Sequence, residues 1–133
     1  MTITTCTFTV PSTEPLDYRP AITTALPTGI MHMVKEYAGD VTGTSVTEFV
    51  ACFDPASGVG TYVAMESFEG VLAGRQGAFN FWHAASTDGA DREHAYGVIV
   101  PASGTGELAG ITGTVDLAID PDGTHHFTFD HSL

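Results

Sequence analysis

Glu66 to His83, ESFEGVLAGRQGAFNFWH, reads as two β-rich runs folded back on each other across glycines, which commits this chain to antiparallel sheet. Gly74 and Gly77 bracket Arg75-Gln76 as a two-residue turn, and pairing outward from it sets Phe68 opposite His83 and Gly70 opposite Phe81. Glu66 then lies one diagonal step from His83. Side chains two apart on a strand share a face, so Glu66, Phe68, Phe79, Phe81 and His83 occupy one surface. Diagonal partners are roughly 7–8 Å apart, within reach of long side chains.

The rest of the chain repeats the pattern. Residues 3–10 (ITTCTFTV) alternate, with Cys6, Phe8 and Val10 on one face, and read as a strand. Pro11, Pro15, Pro20 and Pro27 predict an ordered loop over 11–29. Residues 30–38 and 41–53 form two strands joined at Gly39-Asp40, though periodicity leaves their inward face undecided. Asp54-Pro55-Ala56-Ser57-Gly58 is a turn, 60–74 and 77–86 are the hairpin, and Asp88-Gly89-Ala90-Asp91 turns the chain again. Residues 92–101, 106–120 and 124–133 supply the last strands. The expected fold is one all-β domain over 1–133, a closed antiparallel up-and-down barrel of about eight strands, with a two-sheet sandwich as the alternative.

Composition narrows the function. Only 4 of 133 residues are Lys or Arg against 16 Asp or Glu, a formal charge of −12, which argues against nucleic acid or a membrane surface as partner. No apolar stretch approaches the roughly 18–20 residues of a membrane span. Cys6 and Cys52 form no disulfide framework, and no export signal precedes the first strand, so a cytoplasmic location is expected. No dinucleotide fingerprint, nucleophile elbow or zinc motif is present, and no cofactor is expected. His125 and His126 point to opposite faces and do not form a metal site.

GVLAGRQG at Gly70 to Gly77 recurs as GELAGITG at Gly106 to Gly113, which fits glycines at bends of a coiled sheet better than a phosphate cradle. With AGDVTG at Ala38 to Gly43, MESFEGVLAGRQGAF at Met65 to Phe79 followed by His83, and VPASGTGELAGITG at Val100 to Gly113, the chain resembles a family of bacterial domains of unknown function whose known members form an allene-oxide-cyclase-like β-barrel. The resemblance implies a closed, often oligomeric barrel related in architecture to plant cyclases and dirigent proteins. It also implies that Glu66 and His83 match recurrent polar positions of that family. Pro11-Ser12-Thr13-Glu14 stands where such members carry a tryptophan-acid motif.

An inward face carrying the aromatic residues has Phe8, Phe49, Phe53, Tyr62, Phe68, Phe79, Phe81, Phe127, Phe129 and His131 as ligand contacts, Cys6 beside them, and Glu66 and His83 as catalytic candidates. Desolvation among such walls is expected to raise the Glu66 pKa and make it a general acid or base. The function expected is a cofactor-independent isomerase or cyclase acting on a hydrophobic, oxygen-bearing substrate such as a polyketide or terpenoid intermediate. The alternatives are a non-catalytic carrier with the same pocket and a scaffold whose interior is filled. Trp82, Met31, Met33, Met65 and Val63, taken as outward, predict a homodimer interface.

Overall fold

The structure, a computed structural model, describes residues 1–133. Eight antiparallel strands form one sheet: β1 (Thr2–Pro15), β2 (Gly29–Gly39), β3 (Val41–Phe53), β4 (Val59–Leu72), β5 (Arg75–Asp88), β6 (Arg92–Ile99), β7 (Thr112–Ile119) and β8 (His125–Ser132). Each strand pairs with its neighbours in sequence. β8 pairs back onto β1, from Thr2 with His131 to Phe8 with His125, which gives the closed order β1-β2-β3-β4-β5-β6-β7-β8. Closure spares the sheet two exposed edges. The one helical element is the 3₁₀ turn Gly106–Leu108, and no helix is long and apolar enough to cross a membrane.

The hairpin turns two residues before the position its glycines suggest. Leu72 pairs with Arg75, so the turn is Ala73-Gly74, not Arg75-Gln76, with φ of 50° and 79°. Two left-handed residues make the primed kind of turn whose twist suits the flanking strands. Phe68 therefore faces Phe79 rather than His83, and Glu66 faces Phe81. The partner of Phe68 moves by an even number of positions, so every side chain keeps its face and Glu66 remains diagonal to His83.

Two other expectations are corrected. β1 continues through Pro11 to Pro15, and only residues 16–28 form the irregular loop. β8 reaches no further than Phe8, and Pro11 sits in the register break between Thr9 and Ser12, so its missing N–H interrupts no ladder. Residues 106–111 are not strand. β6 pairs with β5 only from Phe81 to Thr87, and the connection after β6 completes the remaining β5 edge. Val100 donates to the Asn80 carbonyl (2.8 Å), and Thr105 donates to the Ala78 carbonyl (2.8 Å). The second G-x-L-A-G-x-x-G copy thus folds unlike the first, and it drops Leu108 and Ile111 into the interior, both fully buried. The join between β6 and β7 is thin, with Val98 and Thr114 the single pair in register.

That interior has two halves. Phe68, Phe79, Phe81, Phe127 and Phe129 pack into one cluster with Leu108 and Ile111. Phe81 meets Phe127 and Phe129 edge-on, with ring centres 5.3 and 5.2 Å apart, the arrangement aromatic quadrupoles favour. This half is solid. The other half is open. On the outside, Val63 and Met65 are exposed beside Trp82, as their parity predicts. Met31 and Met33 are not outward: Met31 pairs with the cavity-lining Phe49, and Met33, Lys35 and Tyr37 follow it on the same inward face of β2.

Candidate functional site

The open half is a cavity of about 460 Å³. Its walls are Phe8, Phe49, Phe53, Met33 and Leu117, and its polar groups include Lys35, Tyr62, His83, Arg92 and His125. Beneath it, on β4, lies Glu66, with 0% exposure. Alternation sets this arrangement. Ser45, Thr47 and Phe49 are inward on β3, Thr47 is paired with Glu66 on β4, and Ala64 is paired with His83 on β5, so the polar side chains of three strands converge.

Glu66 accepts four hydrogen bonds. Oε1 takes the hydroxyls of Ser45 (2.8 Å) and Thr47 (2.6 Å), and Oε2 takes Lys35 Nζ (2.5 Å) and His83 Nε2 (2.8 Å). Burial by itself would raise the Glu66 carboxyl. The His83 hydrogen bond, the Lys35 ammonium and the Thr47 hydroxyl outweigh it and hold the pKa at about 2. The expected raised value is thereby corrected: Glu66 is a fixed anion at neutral pH. At Lys35 burial outweighs the attraction of Glu66 and lowers the ammonium below its ordinary value.

A second chain of contacts fixes the tautomer of His83. Arg92 Nη2 donates to the Tyr62 oxygen (2.9 Å), which leaves the Tyr62 proton for His83 Nδ1 (2.8 Å). His83 Nδ1 is then the acceptor and Nε2–H the donor to Glu66. Desolvation lowers the His83 pKa, with the Glu66 hydrogen bond opposing it, so the ring is neutral. Burial raises the Tyr62 pKa against the pull of Arg92.

Arg92 reaches the cavity because of a bulge. Ala84 pairs with Tyr96 but Ser86 pairs with Glu93, and the extra residue coincides with His94 at φ 50°. One added residue reverses the alternation, so Arg92, paired with Thr87, faces inward.

Of the residues anticipated from sequence, the cavity brings together Phe8, Phe49, Phe53, Tyr62 and His83, with Glu66 under His83. It does not include Phe68, Phe79, Phe81, Phe127 or Phe129, which fill the solid half. His131 lies elsewhere too, bonded to the Thr4 hydroxyl (2.8 Å) between β8 and β1. Cys6 is buried, and that burial pushes its thiol up to about 11, the state of an inert packing residue. Lys35, Ser45, Thr47 and Arg92 were missed by sequence reasoning. The Ser-x-Thr-x-Phe spacing at Ser45 to Phe49 is the one signal that places hydroxyls and an aromatic ring on a single face.

A family model described as a protein of unknown function (DUF3224) matches residues 4–131. No curated protein matches the chain. A crystal structure of a DUF3224 protein of unknown function from Shewanella oneidensis MR-1 is similar over 100% of this chain and 98% of that one, with 30% identity and a TM-score of 0.86.

Proposed function

Because the chain belongs to the DUF3224 family, we propose a function from its cavity: it binds a mainly apolar, oxygen-bearing small molecule and isomerises or cyclises it without a cofactor. The observation that carries this reading is the hydrogen-bonded series Arg92, Tyr62, His83, Glu66 set against the wall of an apolar chamber. A hydroxyl, an imidazole and a carboxylate in sequence are the parts of an acid–base device in which the third group orients the second.

The proton balance closes within these groups. As a carbon beside the ligand's carbonyl loses its proton to the Tyr62 oxygen, Tyr62 passes its own proton to His83 Nδ1, and the imidazolium so formed faces the Glu66 carboxylate. Returning a proton at another carbon, or closing a ring on the enolate and protonating the product, restores the starting state. Lys35 Nζ spends one of its three donors on Glu66, and the others serve a ligand oxygen at the cavity floor. Neutral His83 above an ionised Glu66 is the protonation pattern such a base requires. An allene-oxide-cyclase-like or dirigent-like affiliation is part of this reading, supported by the up-and-down order of eight strands.

A carrier with no turnover is the second reading, favoured by one observation: both His83 nitrogens are already engaged and the side chain is 5% exposed. Exchange of the α-protons of 2-tetralone in deuterium oxide, followed by NMR, separates the two. A proton-transfer site accelerates exchange above buffer, and Tyr62→Phe and His83→Gln each lower that acceleration roughly 10²–10⁴-fold. Saturable binding with exchange at the buffer rate would leave the carrier.

A further inference from the structure

Arg92 is an unpaired cation in a strongly acidic protein. Acidic residues outnumber basic ones 16 to 4, yet none of the four ion pairs includes Arg92. Two of the four basic side chains, Lys35 and Arg92, line the cavity, and no Asp or Glu does. Lys35 is neutralised from below by Glu66. The cavity is left with one net positive charge, and it sits on Arg92.

That guanidinium is held in place. Nη2 donates to the Tyr62 hydroxyl (2.9 Å), Nη1 donates to the Leu117 carbonyl (3.3 Å), and the group lies 5.7 Å from the centre of the Tyr62 ring. These bonds use two of its five donors. Both acceptors are neutral, and a cation half-buried in an apolar wall gains most from a carboxylate, which it can grip with two parallel bonds. The His94 bulge is what turns Arg92 inward, since without it the alternation of β6 would point the side chain to solvent. The acids nearest Arg92 do not line the cavity: Asp91 and Glu93 beside it in the chain are exposed, and Asp116 lies on the small void that Arg92 also borders. Charges more than about 8 Å away through solvent are screened at physiological salt.

We propose that the ligand of this cavity is a hydrophobic carboxylic acid, its carboxylate on Arg92 beside the Tyr62 hydroxyl and its apolar body against Phe8, Phe49 and Phe53. The inference rests on the cavity being a ligand site and adds the chemical class of what enters it. Its position also has a consequence for the proposed chemistry: a carboxylate on Arg92 brings the near end of the molecule to Tyr62, where the proton is exchanged.

The test uses two probes of one shape, 2-naphthoate and its neutral amide 2-naphthamide, titrated calorimetrically at pH 7 into the native protein, Arg92→Gln and Arg92→Lys. The native cavity should prefer naphthoate at least tenfold, Arg92→Gln should abolish the preference while leaving naphthamide affinity within about twofold, and Arg92→Lys should keep part of it. Melting curves establish that the variants fold, and if Arg92→Gln does not, the native preference together with Arg92→Lys decides. Equal or tighter binding of naphthamide by the native protein, or equal weakening of both probes in Arg92→Gln, overturns the carboxylate site and leaves the cavity reading intact. Failure of both probes to bind the native protein overturns the two together.

Discussion

Replacing Glu66 by Gln removes one charge from the point where four donors meet. Lys35 would keep its ammonium without a counter-ion, its Nζ 5.0 and 5.4 Å from the ring centres of Phe8 and Phe127. The amide nitrogen would turn a donor toward either the Ser45–Thr47 pair or the Lys35–His83 pair, which now donate. Removing one partner of a buried ion pair costs about 3–5 kcal/mol. The carboxyl itself gives a second route to the magnitude. It is held at about 2 against 4.5 for a free Glu side chain, and at roughly 1.4 kcal/mol per unit this corresponds to about 3 kcal/mol of stability at pH 7. The sign follows from the direction of the shift. A depressed carboxyl stabilises fully above its unfolded value and loses that contribution as the pH falls from 4.5 toward 2. Urea unfolding followed by circular dichroism should therefore place Glu66→Gln about 3 kcal/mol below the native chain at pH 7, with the gap narrowing below pH 4.5. Adding Lys35→Met to the variant should recover part of the loss, since an apolar side chain of similar volume replaces the orphaned ammonium. A deficit under about 1 kcal/mol, or a gap that is constant with pH, would refute the account of Glu66 as a buried anion held by its donors.

The two halves of the interior should respond differently to truncation. Phe127→Ala, in the solid half, should cost about 3–5 kcal/mol, whereas Phe53→Ala, 37% exposed at the cavity, should cost under about 1 kcal/mol and weaken naphthoate binding; similar losses at both sites in thermal melts would contradict the division. The exposed side chains of Val50, Val63 and Met65, with Trp82 beside Met65, form the outer face on which a homodimer is expected, and sedimentation as a monomer at high micromolar concentration would remove that expectation.

Strand parity carried much of this architecture into the sequence. Alternation around Phe68, Phe79, Phe81 and His83 placed them inward whatever the turn, because a register change by an even number of residues leaves faces alone. The bounds of Val41–Phe53 were likewise legible from its flanking Gly-Asp and Asp-Pro signals. Prediction stopped where parity itself changes. The bulge at His94 reverses the face of Arg92, and nothing in ADREHAYG marks which residue is the extra one. Phe68 and Phe49 are both inward and both aromatic, yet one is core and the other cavity wall. Which end of the barrel is filled depends on Leu108 and Ile111 folding in from a connection that reads as strand. Lys35 alternates with Glu36 as a surface pair would, and its inward orientation depends on a carboxylate 31 positions away.

The thin join between β6 and β7 bears on kinetics. With one pair in register, Val98 with Thr114, it is the place where the wall can part with the fewest backbone bonds broken, and a small void of about 30 Å³ lined by Tyr62, His83, Arg92 and Leu117 already lies beside it. Opening there would unzip the cylinder into a curved sheet while the long β3–β4 and β4–β5 ladders stay intact. The amides flanking Val98 and Thr114 should then exchange with solvent well ahead of those around Thr47 and Glu66. A ligand too large to leave by the mouth would have its residence time set by how often this clasp undoes.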